Sequence, residues 1–306
     1  MKKLGVWIGA MRLRTLPLSL SGIIVGSALA GWLGHWDGKI FFGAMMTTVL
    51  FQILSNLAND LGDSQKGTDN KNRVGPLRAV QSGEISIEEM KIGVVVSALL
   101  AVLSAALLIY ASLPNLSHKL IVFYGFLAVA CILAAILYTV GKSAYGYAGL
   151  GDVMVFLFFG FVSVLGVFSL YGLEFEWLTI LPAISIGAWS TGVLNLNNMR
   201  DIENDKLSNK NTVAVKLGLQ KAVYYHAFLL LLGMVSWLLL VSVFFSLSLN
   251  PLVFVALLPT FFFAPHLFRV FSVKSLKDLD QELKIVALIA FFSSFLLSFI
   301  LLLLAI

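Results

Sequence analysis

The chain has 306 residues, of which 59% are hydrophobic and only 12% charged, and its mean hydropathy is +0.94. A soluble protein would carry about a quarter charged residues, so the composition excludes an ordinary soluble domain and implies several membrane crossings. The net charge of +5 is carried mainly by loops, and the expected surroundings are a lipid bilayer with no nucleic-acid partner.

Residues 1–14 mix Trp7, Ile8, Met11 and Leu13 with Lys2, Lys3, Arg12 and Arg14, the pattern of a short interfacial helix. Lys2 and Lys3 before an apolar run, with Ala28-Leu29-Ala30 further on, imitate a signal peptide. Arg12 and Arg14 lie inside that segment, however, and further apolar runs follow, so an uncleaved first span is expected. The predicted spans are 15–34, 40–58, 92–113, 120–140, 150–172, 177–196, 222–245, 251–268 and 285–306. Each is near the ~20 residues that cross a bilayer as a helix. Pro17, Pro182, Pro259 and Pro265 fall in or near these spans, where prolines are tolerated and can kink a helix. Cys131 stands alone in an apolar run, which leaves no disulfide framework and no Cys-based metal site.

Basic residues set the orientation. With the N-terminus inside, all of the 21 Lys and Arg residues except Lys39 and Lys119 fall on the inner side. The predicted fold is therefore an all-α integral membrane protein, a single domain over 1–306 with its N-terminus in and C-terminus out. The long internal connections, 59–91 and 197–221, hold most of the polar chemistry. An Asn-x-x-x-Asp pair ends span two and another ends span six, with an even number of spans between them. This implies two parallel four-helix halves plus a ninth helix, a plan in which a site lies at the interface of the halves.

The first motif is Asn56-Leu57-Ala58-Asn59-Asp60-Leu61-Gly62-Asp63. On a helix, Asn56, Asp60 and Asp63 share one face. Asp60 and Asp63 suit Mg²⁺, which is usually held by one or two carboxylates plus substrate phosphates. Lys66, Arg73 and Arg78 follow and suit phosphate oxygens. The second motif, Asn195 to Asp205, places Asn197, Asp201 and Asp205 at helical spacing before Lys210 and Lys216. Either loop alone reads equally as a solvated, topology-setting segment; two matching amide-and-acid faces in a repeat favour a site. Tyr138 and Lys142, one helical turn apart at the end of span four, form a third candidate: the ring for a carbocation, the ammonium for a departing anion. An interfacial Tyr with a snorkelling Lys is the plain alternative. Tyr145 to Asp152 is a glycine-rich turn, with Asp152 either lining a cavity or capping a helix. His226 and His266, inside spans, are expected to hydrogen-bond to neighbours. The Phe-rich runs 156–161 and 261–263 read as packing or channel lining.

These motifs, spread over nearly the whole chain, resemble the UbiA superfamily of intramembrane aromatic prenyltransferases. Asn56 to Asp63 with Lys66-Gly-Thr-Asp69, Gly75-Pro-Leu-Arg78, Gly149-Leu-Gly-Asp152, and Asn197 to Asp205 with Lys210-Asn-Thr212 are most similar to the branch that prenylates 1,4-dihydroxy-2-naphthoate in menaquinone synthesis. Asn209 and Asp152 depart from it, standing where the branch usually has Gly and often Glu. The resemblance implies transfer of a polyprenyl chain from its diphosphate to the naphthoate ring, with loss of the carboxyl group. It implies one Mg²⁺ on Asn56, Asp60 and Asp63 and another on Asn197, Asp201 and Asp205. Asp60, Asp201 and Tyr138 are the expected catalytic residues. Lys66, Arg73, Lys142 and Lys210 would meet the diphosphate; Arg78 and Arg12, or Arg14, would orient the acceptor carboxylate. The implied location is the cytoplasmic membrane, with the site facing the cytoplasm. A different aromatic acceptor, such as 4-hydroxybenzoate or homogentisate, is the nearest alternative. A secondary transporter is the more distant one, since it does not explain acids gathered at one boundary.

Overall fold

The computed structural model describes residues 2–71 and 73–305. Nine helical segments among them are long and apolar enough to cross a membrane: Lys3–Trp32, Gly38–Gln65, Ile87–Asn115, His118–Leu137, Gly151–Leu170, Trp177–Arg200, Leu219–Ser248, Pro251–Phe271 and Leu276–Leu304. No strand occurs among the described residues. The all-α, nine-span expectation holds, and the boundaries that differ do so for identifiable reasons. The third span begins five residues earlier than its hydropathy suggests because Ser86 and Glu89 close a capping box that lets charged Glu88 and Glu89 form its first turn, with Lys91 just after. The second span runs on through the first motif to Gln65, so its acids ride on the helix itself.

The expected interfacial helix is Lys2–Met11. It ends at Arg12, whose φ of 50° is left-handed, before the Leu16–Trp32 helix starts with Pro17 in its first turn, where a missing N–H is harmless. Its Trp7 packs over Gly93 of the third span, Lys3 pairs with Glu89, and the Met11 carbonyl accepts from Asn56 at 2.8 Å. The entry helix is thus fastened to the second and third spans beside the first motif.

The halves pack alike: the second span lies most closely on the third, the sixth on the seventh. The ninth packs against the first, sixth and eighth. The fifth span approaches the first through glycine, since a Cβ on Gly26 would stand 2.6 Å from the Val164 carbonyl oxygen. Small residues let membrane helices come this close where van der Waals packing replaces the hydrophobic drive. The fifth span is widened to π-helical geometry over Phe156–Gly166, and the eighth is 3₁₀ over Pro251–Phe262, around Pro259. Trp189 and Trp237 are fully buried, and each donates its indole N–H to a neighbouring helix, to Leu230 at 3.3 Å and Ala256 at 3.2 Å. His226 and His266 are also fully buried; their Nε2 atoms lie 2.8 Å apart, and His266 continues to Glu282 at 2.6 Å. They bond to neighbours as expected and do not line the central cavity.

Candidate active site

A cavity of about 420 Å³ runs between the halves. Its inner part is apolar, with Phe51, Leu108, Leu127, Phe159, Val162 and Leu170 among its walls. Its other end carries Arg12, Asn56, Asn59, Asp63, Arg78, Asn197, Arg200, Lys210 and Asp280. A greasy tunnel therefore opens onto a charged cluster, and residues of both motifs line it.

The two motifs converge. Lys210 Nζ lies 3.6 Å from Asp63 Oδ2 and 3.9 Å from Asp205 Oδ1, bridging one acid of each. The Gly75 N–H donates to Asp201 Oδ1 at 3.1 Å, and Asn204 donates to the Thr68 carbonyl at 2.8 Å. The loop after the second span thus lies directly on the second motif.

Within the first motif the three helical residues differ in what they hold. Asp63 is 1% exposed, accepts from Tyr147 Oη at 2.6 Å and pairs with Arg78 Nη1 at 2.7 Å. Asp60 spends both oxygens on backbone N–H groups, those of Ala79 at 3.0 Å and Val80 at 3.3 Å. Asn56 donates to Met11 and accepts from Gln52 at 3.3 Å. Asp60 does not line the cavity; Asn59, one residue before it, does. Asp60 and Asn56 therefore pin the loop and the entry helix, while Asp63 faces the site.

The second motif is not one continuous helical face, as its spacing suggests. The sixth span stops at Arg200, Asp201 sits at the break, and Asp205 is on the short helix Ile202–Leu207. The break follows from Arg200, which is fully buried and donates to Asn197 Oδ1 (2.8 Å), Asp201 Oδ2 (2.6 Å) and Asp280 Oδ1 (2.6 Å). This residue, together with Asp280 on the ninth span, belongs to the site and was missed in the sequence, where it counts as one more inner-side charge. The Asn209 backbone is left-handed, φ 54°, a conformation Asn tolerates well, which explains why Asn replaces Gly there.

Charge balance shapes the loop groups. Burial raises Asp205 to about 6 against the pull of Lys210, and raises Asp69 to about 6 against Arg78. Burial pushes Asp201 upward too, but its hydrogen bonds and charge contact with Arg200 leave it below the usual carboxylate value. Burial alone would lower Arg78, yet Asp63, Asp69 and Asp60 hold it above the ordinary value. Arg73 lies 3.3 Å from Asp69 and 3.9 Å from Asp201, spanning the motifs. Arg12, the strained residue at the end of the entry helix, lines the cavity with a buried Nη2 that has no hydrogen-bond partner. Arg14 also lines it, 3.8 Å from Asp280.

Tyr138 lines the cavity, its ring edge-on to Tyr145 at 5.3 Å. Lys142 is not brought there. The fourth span ends at Leu137, and the chain turns through Gly141 at φ 91°, leaving Lys142 exposed. The helical spacing of Tyr138 and Lys142 read in the sequence is thus lost. Asp152 does not line the cavity either; it is buried against Tyr225 with the Thr191 hydroxyl at its carbonyl. Lys66 reaches the site edge over the Tyr147 ring.

Among the described residues no three acid, His or Cys groups are close enough to hold a metal by themselves. The donors present still fit Mg²⁺. They are all oxygen, they come one or two carboxylates per motif, and Asp69 keeps one buried oxygen, Oδ2, without a hydrogen bond while Oδ1 faces Arg73 and Arg78. Such a set suits an ion that takes its remaining ligands from substrate phosphates.

The profile of the UbiA prenyltransferase family matches residues 19–295. The chain belongs to that family. This UbiA-family protein is 46% identical over 227 residues to the 1,4-dihydroxy-2-naphthoate octaprenyltransferase of Escherichia coli, covering 74% of this chain and 72% of that one. It is 44% identical over 239 residues to the protein of the same name from Haemophilus influenzae, covering 78% and 77%. Its fold is similar to the apo structure of a UbiA homolog from Aeropyrum pernix, with a TM-score of 0.67 at 15% identity over 91% of this chain and 97% of that one. It is also similar to a UbiA homolog from Archaeoglobus fulgidus bound to DMAPP and Mg²⁺, with a TM-score of 0.58 at 15% identity over 94% and 98%.

Proposed function

We propose that this UbiA-family protein transfers a polyprenyl group from its diphosphate to 1,4-dihydroxy-2-naphthoate with loss of the carboxyl group, giving demethylmenaquinol for menaquinone synthesis. One structural observation carries the reading: at the charged mouth of an apolar cavity, Asp63 of the first motif and Lys210 both line the wall, and Lys210 ties Asp63 to Asp205 of the second motif just behind it. That shape suits a molecule with an anionic head and a long lipid-soluble tail. The relatives named for the naphthoate reaction supply the acceptor.

In this reading Asp63 and Asp205 would hold Mg²⁺, joined by Asn197 and Asp201 once Arg200 releases their oxygens; Asn56 and Asp60 act mainly by fixing the surrounding backbone. Bound there, Mg²⁺ offsets the negative charge that grows on the departing diphosphate. Lys66, Lys210 and Arg73 face the same head, and Lys142 reaches it only by a change in its turn. The C–O bond of the allylic diphosphate breaks, and its electron pair leaves with pyrophosphate. The Tyr138 ring lies where the allylic cation forms, and the apolar wall keeps water from capturing it. The ring of the acceptor bonds to the prenyl carbon, and the ring–carboxyl bond breaks to release CO₂. Arg78 is already engaged by Asp63 and Asp69, so Arg12, with its free buried nitrogen, is the better partner for the acceptor carboxylate. The site faces the cytoplasm, on the side where the basic loops lie.

The test is mass spectrometry of the product formed by purified protein from dihydroxynaphthoate and a polyprenyl diphosphate with Mg²⁺. Decarboxylated prenyl naphthoquinol is expected. Product with 4-hydroxybenzoate but none with dihydroxynaphthoate would overturn the acceptor assignment.

A further inference from the structure

Tyr147 is absent from the walls of the cavity, yet it touches Asp63, Lys66 and Lys210 of the charged cluster. Lys66 Nζ stands 4.0 Å from the centre of its ring, and Lys210 Nζ stands 5.3 Å from the same centre. Both lie within the ~6 Å at which an ammonium is drawn to an aromatic face. Lys66 follows the first motif and Lys210 the second, so one ring gathers a cation from each.

We infer that Tyr147 is a positioning residue, whose ring holds Lys66 and Lys210 together behind the diphosphate-binding space while its hydroxyl fixes Asp63. The inference rests on the reading of a diphosphate substrate given above. Two ammonium groups brought to one place repel each other; Lys210 is held against this by Asp63 and Asp205, whereas Lys66 has the ring. The π face supplies attraction to both without adding a carboxylate that would compete with the substrate's phosphates. Lys66 and Lys210 are thereby kept near each other before the anion arrives, which lowers the ordering cost of binding it.

The ring is itself locked. A carboxylate oxygen can only accept, so the Tyr147 O–H donates to Asp63 Oδ1 at 2.6 Å. With that proton committed, the contact to Thr68 at 2.6 Å must run from the Thr68 O–H to Tyr147 Oη. The Tyr147 carbonyl accepts from the Asn211 N–H at 3.0 Å, on the loop that carries Lys210. The side chain is thus tied to the first motif and the backbone to the second. A phenol donating to a carboxylate gains electron density in its ring, which strengthens its hold on the cations above it.

The two functions of the residue separate by substitution. Tyr147→Phe keeps the ring and removes the bond to Asp63; Tyr147→Leu removes both. Binding of Mg²⁺ with inorganic pyrophosphate to detergent-solubilised full-length protein is measured by calorimetry. Tyr147→Phe is expected to weaken pyrophosphate two- to threefold while raising the Mg²⁺ concentration needed for half-saturation. Tyr147→Leu is expected to weaken pyrophosphate tenfold or more. Lys66→Met is expected to weaken it about as much in the native background, and by less than twofold in the Tyr147→Leu background, because the ring acts through the lysine. A general loss of folding would not produce that dependence. If Phe and Leu weaken pyrophosphate equally, or if Lys66→Met costs the same in both backgrounds, the ring has no such role, while the diphosphate reading stands. If the native protein binds no pyrophosphate with Mg²⁺, both are overturned.

Discussion

Lys210→Met tests how the acids are kept together before any metal arrives. Lys210 Nζ sits 3.6 Å from Asp63 and 3.9 Å from Asp205, and its side chain is 8% exposed. At an effective dielectric constant of about 20 each contact has a gross attraction of ~4 to 5 kcal/mol. Most of that is cancelled by taking the charges out of water, and removing one partner of a buried pair costs about 3 to 5 kcal/mol. Asp63 keeps Arg78 at 2.7 Å, so only Asp205 loses its cation. The expected cost falls to about 2 kcal/mol, or a fall of ~3 °C in unfolding temperature for a chain of this size. Thermal unfolding in detergent, followed by intrinsic fluorescence, reads this directly. Saturating Mg²⁺ and pyrophosphate is expected to recover most of the loss, because a divalent cation then faces the same two acids. An unchanged unfolding temperature without metal, or a loss that Mg²⁺ does not diminish, would refute the reasoning.

Other substitutions separate scaffold from chemistry. Asp60→Ala leaves the buried N–H groups of Ala79 and Val80 without an acceptor; at ~1 to 3 kcal/mol for each such group, thermal stability is expected to drop together with activity, and full stability with lost turnover would instead make Asp60 purely a site residue. Gly26→Val sets a Cβ 2.6 Å from the Val164 carbonyl oxygen; overpacking of this kind costs about 1 to 3 kcal/mol, seen as a lower unfolding temperature, and an unaffected protein would mean that the first and fifth spans are less tightly apposed. Tyr138→Ala is expected to lower kcat more than it raises KM for the diphosphate, since its ring acts on the cation formed after binding; equal changes in both would reduce Tyr138 to packing.

The spans were legible because a run of about 20 apolar residues has few alternatives in a bilayer. The first motif was legible as a helical face because the second span continues through it to Gln65. The second motif was legible in composition but not in shape. Its helix breaks at Asp201 because Arg200 turns inward to bind Asn197, Asp201 and Asp280, and Asp280 lies 80 residues away in the chain. No local pattern marks such a contact. Lys142 failed for a related reason: helical spacing was extended past Leu137, where Gly141 turns the chain. Asp60 and Asp63 looked equivalent in sequence, yet only the fold reveals that Asp60 receives the backbone of Ala79 and Val80 while Asp63 faces the cavity. Tyr147 stood in a stretch that read as a glycine turn, and its importance comes from lysines 63 and 81 positions away.

The central claim is that both motifs act on one bound diphosphate. The most direct measurement is a double-mutant cycle with Asp63→Asn and Asp205→Asn, reading the affinity for pyrophosphate in the presence of Mg²⁺. Each single change is expected to weaken binding at least tenfold, and the pair together by clearly less than the product of the two, because they share a ligand. Independent sites would give effects that add to within about 0.5 kcal/mol, and that result would contradict the account.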